Sequence, residues 1–210
     1  MTAANPVKDA VTQARQRQIL EAAVTVFAEK GYHRATIKDI ARTAGVADGT
    51  IYNYFKNKQD VMLNIVLQMA EINRLMDDVE QALQTLTPAQ LLEMVFQNRL
   101  RTMKNNLPLT RAIFPQIITD PELKRMFFEK LLLPNLDKGK KVFQTYVERG
   151  QLHDADPEII IRGLFSVIFG TIMLAMLGDT VILNEADAFS DQMTAIFLRG
   201  LKLDRMEREQ

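Results

Sequence analysis

The chain has 210 residues, 26 Lys+Arg against 26 Asp+Glu, 47% apolar residues and no Cys. This is the profile of a globular protein with length for one large domain or two small ones. The missing cysteines exclude a disulfide framework, a thiolate metal site and a cysteine nucleophile, and two histidines, His33 and His153, cannot build a multi-histidine metal site.

The zero net charge hides an asymmetry. Residues 1–64 hold 9 Lys/Arg against 6 Asp/Glu, and the remainder holds 17 against 20. A mildly basic head on a mildly acidic body is compatible with a head that meets phosphate. The N-terminus lacks the apolar core of a secretory signal. The longest uncharged run, Gly163 to Gly178, is sixteen residues, short of the roughly 20 needed to span a bilayer. These features predict a cytoplasmic protein without a membrane partner.

The periodicity is helical throughout, so the fold class is all-α. Asn5-Pro6 caps and opens a first helix to about Lys30, closed by Gly31. Its Ile19, Ala22, Ala23, Val26 and Phe27 share one face. Two short helices follow, over about 37–44 and 48–54. A long one runs from Lys58 to about Leu86, and Thr87-Pro88 starts another to about Asn105. Asn106-Leu107-Pro108 predicts a break, then a short helix to Thr119. Asp120-Pro121 starts a helix to about Arg149 that Pro134 must kink or break. Asp156-Pro157 starts the most apolar helix, and a last one runs from about Asn184 to Leu203. That makes about nine helices, with a division at 1–57 and 58–210.

The segment Thr36 to Tyr54, TIKDIARTAGVADGTIYNY, has the parts of a helix-turn-helix. Thr36 caps the first short helix, with Asp39 three residues on. Ala41 is small where the second helix crosses. Gly45 supplies the positive φ of a tight turn. Val46 and Ile51 pack back into the head. The polar side chains are Lys38 and Arg42 on the first helix, Asp48, Thr50, Tyr52, Asn53 and Tyr54 on the second, then Lys56 and Lys58. Hydroxyls and ammonium groups suit phosphate, whereas Asn and Thr can reach base edges.

The longer run Arg17 to Leu63, RQILEAAVTVFAEKGYHRATIKDIARTAGVADGTIYNYFKNKQDVML, resembles the DNA-binding domain of the tetracycline-repressor (TetR) family. The shared features are A-A-x-x-x-F, the Gly-Tyr turn, I-A-x-x-A-G-V, G-T-I-Y and F-K-N-K. The resemblance implies a three-helix head followed by a larger helical domain for ligand binding and dimerisation. It implies that Thr36, Tyr52, Tyr54 and Lys58 contact phosphate, Thr50 phosphate or base, and Asn53 bases or the adjacent phosphate. Gly49 would let the backbone approach the groove. Ala47 departs from the family, which often has Ser as N-cap there, and Asp48 is placed to take over that cap.

In the body, Phe96, Leu100, Met103, Phe114, Ile117, Phe127, Phe165, Phe169 and Met173 fall at inward helical positions. Met and Phe at this spacing make a core; flexible Met beside Phe also suits an adaptable cavity, and the resemblance implies a ligand pocket here. Arg99 sits within the apolar stripe and needs a partner, either an internal carboxylate such as Asp77 or Glu122, or an acidic ligand group. One cationic end on an apolar cavity favours a fatty acid or acyl thioester. The ADGTIY wording also resembles some fatty-acyl-responsive members of the family.

The last two long helices read as a dimer seam. Gly163, Ser166 and Gly170 permit close approach, and Phe189, Met193, Ile196 and Phe197 supply apolar surface. The function these features predict is a homodimeric regulator bound to a palindromic double-stranded operator and released by a small-molecule effector, with no cofactor. A ligand-independent architectural DNA-binding protein is the second reading. Nothing has the spacing of an enzyme's catalytic or phosphate-loop motif.

Overall fold

The computed structural model describes residues 6–69, 72–152 and 156–202, and among these there is helix but no strand. In chain order the helices are α1 (Pro6–Lys30), α2 (Ile37–Ala44), α3 (Asp48–Tyr52), α4 (Lys58–Met69), α5 (Ile72–Ala82), α6 (Pro88–Thr119), α7 (Pro121–Phe127), α8 (Leu133–Glu148), α9 (Pro157–Met176), α10 (Val181–Asn184) and α11 (Ala186–Lys202). The all-helical architecture matches the periodicity of the sequence.

The chain forms two compact units. One comprises the residues up to 69 together with 111–127; the other comprises 70–110 and the residues from 128 onward. The division expected at residues 57/58 separates roles, whereas packing draws its boundary elsewhere. All of α4 belongs to the first unit. So does the C-terminal part of α6, followed by α7, which packs on α4.

In the first unit, Ile19, Ala22, Ala23, Val26 and Phe27 of α1 are all buried, as their spacing predicts. Ile40 and Ala41 of α2 and Ile51 of α3 are fully covered. Gly45 closes α2 with φ 66°, where a Cβ would be strained. From the later segment, Ile113, Phe114, Ile117, Leu123 and Met126 are buried.

The second unit has one large apolar cluster, including Leu92, Phe96, Phe143, Tyr146, Ile161 and Leu164. A smaller cluster centres on Leu100, Met103, Ala175 and Ile182. Tyr146 donates its hydroxyl proton to the Leu86 carbonyl (3.0 Å), and Arg149 donates to that of Leu83 (2.7 Å), so the end of α8 holds the α5–α6 connection. Gly139 lies so close to Ile161 that a Cβ there would collide with Ile161 Cδ1. Asp156 caps α9, accepting from the Glu158 N–H at 2.8 Å.

Two expected boundaries differ. The helix expected over Lys58 to Leu86 ends at Ala82; it is described as α4 and α5, and residues 70 and 71 lie outside those described. The break expected at Asn106-Leu107-Pro108 is absent, and α6 runs through Pro108 and Pro115. A proline inside a helix costs about 3 kcal/mol. Burial of Leu91, Leu92, Phe96, Leu100 and Met103 before Pro108, and of Ile113, Phe114 and Ile117 after it, outweighs that cost. Pro134, by contrast, does interrupt its helix. Phe128–Leu132 is a π-helical turn, Pro134 lies in the first turn of α8, and the buried Asn135 amide donates to the Leu131 carbonyl.

Candidate DNA interface and effector cleft

The turn between α2 and α3 fixes the angle of the helix-turn-helix. Thr36 accepts from the Asp39 N–H (3.1 Å), and Asp39 Oδ2 accepts from both the Thr36 N–H (3.1 Å) and its hydroxyl (2.8 Å). The expected cap is therefore a complete capping box. It also engages the Thr36 hydroxyl proton, which a phosphate contact would have to take from Asp39. Lys30 and Arg42 both reach Asp39 Oδ1 at 2.6 Å. The Lys30 bond, then those from Thr36, hold the Asp39 carboxyl down at about 2.

Across α3, Asp48, Gly49, Tyr52 and Asn53 are exposed and Thr50 and Tyr54 half-buried. Tyr52 is 59% exposed, high for a tyrosine. A Cβ on Gly49 would meet nothing within 4 Å, so packing inside the chain does not require glycine there. Ala47 is the N-cap and gives no side-chain bond; Asp48 stands in the first turn, where its charge favours the helix N-terminus. Lys38 and Lys56 are exposed.

Lys58 differs from the other site lysines. Its ammonium donates to the carbonyls of Tyr32 (2.8 Å), Ala35 (3.0 Å) and His33 (3.3 Å) and lies 4.5 Å from the centre of the Tyr32 ring. Burial lowers its pKa, and the Asp120 carboxylate opposes that shift. Burial raises the pKa of Tyr32, helped by Asp120. Sequence reasoning missed this arrangement, because the acceptors are backbone atoms.

In the second unit, Phe96, Arg99, Leu100 and Met103 of α6 face Ile168, Thr171 and Ile172 of α9 and Phe189 of α11 across a narrow cleft. The four α6 residues follow helical spacing and include every expected pocket residue on that helix before Pro108. The expected Phe165, Phe169 and Met173 are one phase off. Ile168, Thr171 and Ile172 line the cleft instead, and Phe165 packs against the large cluster. Phe114, Ile117 and Phe127 belong to the first unit. Arg99 donates through Nε (3.1 Å) and a terminal nitrogen to Asn98 Oδ1. Of the carboxylates considered for it, Asp77 is exposed and Glu122 pairs with Arg125 at 2.8 Å. Thr171 donates to the Val167 carbonyl (2.8 Å), leaving its oxygen able to accept.

The residues expected at the dimer seam divide. Phe189 lines the cleft, Met193 and Phe197 pack on the large cluster, and Phe197 meets Phe96 edge-on at 6.2 Å. A Cβ on Gly163 would lie 3.6 Å from Phe197 Cζ, so this glycine faces α11 of its own chain. Ser166, Gly170 and Ile196 point outward. With them stand Ile159, Leu174 and Leu177, 66%, 48% and 78% exposed. By length and composition α9 could cross a membrane. Its first turns nonetheless carry Glu158 and Arg162, paired at 2.6 Å. His153 lies outside the described residues.

A family model for bacterial regulatory proteins of the tetR family matches residues 19–65. The fatty acid metabolism regulator protein of Bacillus subtilis (strain 168) is 31% identical over 163 residues, which cover 74% of this chain and 78% of the relative. The crystal structure of the transcriptional regulator FadR from Bacillus subtilis in complex with stearoyl-CoA superposes with TM-score 0.69 at 26% identity, covering 88% of this chain and 98% of that one. Thermus thermophilus FadR, a TetR-family repressor in complex with lauroyl-CoA, gives TM-score 0.64 at 25% identity, over 91% and 94%. The chain belongs to the TetR family of transcriptional regulators and is not an enzyme.

Proposed function

We propose that the protein is a homodimeric repressor, acting in the cytoplasm, that leaves a palindromic operator when a fatty-acyl thioester or fatty acid enters the cleft between α6, α9 and α11. The observation that carries this reading is the cleft itself. Seven of its eight lining side chains are uncharged, and the eighth is Arg99. That composition suits an acyl chain with a polar, anionic end. The relatives named above, a fatty acid metabolism regulator and two regulators crystallised with acyl-CoA, support the same class.

A long acyl chain occupies more volume than the cleft offers, so entry requires its walls to move. The cleft lies where the large and small clusters of its unit meet, with Phe96 in one and Leu100 and Met103 in the other. Parting two clusters disturbs less packing than opening one. The flexible Met103 can re-pack against the ligand.

The outward stripe of Ile159, Ser166, Gly170, Leu174 and Leu177 on α9, with Ile196 on α11, is assigned to a second copy of this chain. A two-fold pairing of α9 and α11 gives a four-helix interface and presents two copies of α3 to two operator half-sites. Within α3, exposed Tyr52 is assigned to phosphate and Asn53 and Thr50 to base edges; exposed Lys38 and Lys56 flank them.

The test is to select operator fragments from random duplexes, then titrate operator and lauroyl-CoA or stearoyl-CoA each in the presence of the other. Acyl-CoA should weaken operator binding, and operator should weaken acyl-CoA binding by the same factor. Free coenzyme A should do neither. Arg99→Gln should weaken acyl-CoA binding while operator affinity stays the same. Operator binding indifferent to every acyl compound would favour the ligand-independent reading.

A further inference from the structure

We propose that Lys58 is a positioning residue of the DNA-binding head: its ammonium pins the Gly-Tyr turn before α2 to the first turn of α4 and makes no phosphate contact. The proposal rests on the DNA-binding role of the head. It departs from the phosphate role that the family resemblance implies for this lysine.

An ammonium group has three protons. Here three carbonyl oxygens, of Tyr32, His33 and Ala35, accept from it within 3.3 Å. The Tyr32 ring takes up a further side of the charge at 4.5 Å. Tyr32 is itself buried, edge-on to Phe27 of α1 at 5.4 Å. A phosphate could be reached only by giving up these acceptors, and the part-buried carbonyls of Tyr32 and Ala35 would then lose this partner. Lys38 and Lys56 are exposed and face no such penalty.

The pinned turn leads directly into Thr36, the N-cap of α2. The Ala35 N–H is held by the Gly31 carbonyl at 3.1 Å, while the Ala35 carbonyl accepts from Lys58. Lys58 thus fixes where α2 starts, and α2 carries α3 through the Gly45 turn. The lysine acts on DNA through helix placement. The Asp120 carboxylate, at the start of α7 in the same unit, favours the charged form of the ammonium.

Two measurements test this. The first uses the wild-type protein and brief acetylation with an N-hydroxysuccinimide ester, read by peptide mass spectrometry with and without a random-sequence duplex. Lys58 should react more slowly than Lys38 and Lys56 in both states, whereas those two should be open in the free protein and protected on DNA. Lys58 as reactive as they are when free, and protected only on DNA, overturns the proposal.

The second compares Lys58→Met and Lys58→Arg, at a temperature where circular dichroism shows each folded, for binding to the same duplex across a potassium chloride series. Removing one phosphate-neutralising charge flattens the slope of log K against log salt by about 0.9. Lys58→Met should lower affinity equally at every salt concentration, with the slope unchanged. Lys58→Arg should not restore affinity, because a planar guanidinium cannot reproduce three converging bonds. Lys56→Met should flatten the slope. A flattened slope for Lys58→Met with recovery in Lys58→Arg, or unchanged affinity in a folded Lys58→Met, overturns the proposal.

Discussion

Lys30 Nζ stands 2.6 Å from Asp39 Oδ1, joining the last turn of α1 to the first turn of α2. The same carboxylate closes the capping box of α2 and receives Arg42. These bonds hold Asp39 at about 2, against 3.8 for an ordinary aspartate. A lowered folded-state pKa adds stability above the unfolded value and loses it as pH falls through the folded one. The head should therefore lose stability between about 3.8 and about 2. In Asp39→Asn that part of the acid dependence should vanish. Urea midpoints on either side of the window check this; identical slopes in both proteins would remove Asp39 as the cause.

Gly139 and Ile161 set how closely α8 and α9 approach. Alanine in place of a helical glycine gains about 1 kcal/mol from propensity. Overpacking a filled core costs about 1–3 kcal/mol. Ile161 is buried within the large cluster and cannot swing clear, so Gly139→Ala should be destabilising on balance. Adding Ile161→Ala makes room, and the double variant should be more stable than the two single losses predict. Additive losses in chemical denaturation would show that the two residues are not coupled.

Charge placed on the outward stripe should separate the protomers without unfolding them. Leu174 and Ile196 are 48% and 61% exposed, so glutamate at either position meets water in an isolated chain. In Leu174→Glu/Ile196→Glu, light scattering should report the mass of one chain while the helical circular dichroism persists. A dimer that survives both changes would place the seam elsewhere.

Asn53→Ala should alter base preference at one or two positions of the selected operator, each by about 1–3 kcal/mol. Tyr52→Phe should weaken all sequences alike, since a phosphate contact carries no sequence information. Selection from a randomised library with each variant separates the two roles. An unchanged preference for Asn53→Ala would remove it from base reading.

The head was legible because its packing is local. Residues 19–27 carry their own periodicity, and Thr36, Asp39 and Gly45 act on neighbours close in the sequence. The cleft was legible on α6, where charged and polar residues mark the outer face and leave Phe96, Leu100 and Met103 in phase. On α9 the sequence is apolar nearly all round, so no polar face sets the phase. Phe165, Phe169 and Met173 looked as plausible as Ile168, Thr171 and Ile172. On α11 the apolar face with Phe189, Met193 and Phe197 was legible, but whether it packs on its own chain or on a second copy depends on residues far away in the chain. Pro108 misled because a local rule was overridden by apolar burial on both sides of it. The role of Lys58 was hidden because backbone carbonyls leave no mark in the sequence.

The unbroken course of α6 through Pro108 has a consequence for protein engineering. Its residues 111–119, followed by α7, pack within the same compact unit as α1 to α4. A chimaera that exchanges only residues 1–57 between two regulators would seat a foreign head on another protein's 111–127 segment. The transferable module is discontinuous, and a sensor built by grafting heads onto new bodies should carry that segment with the head.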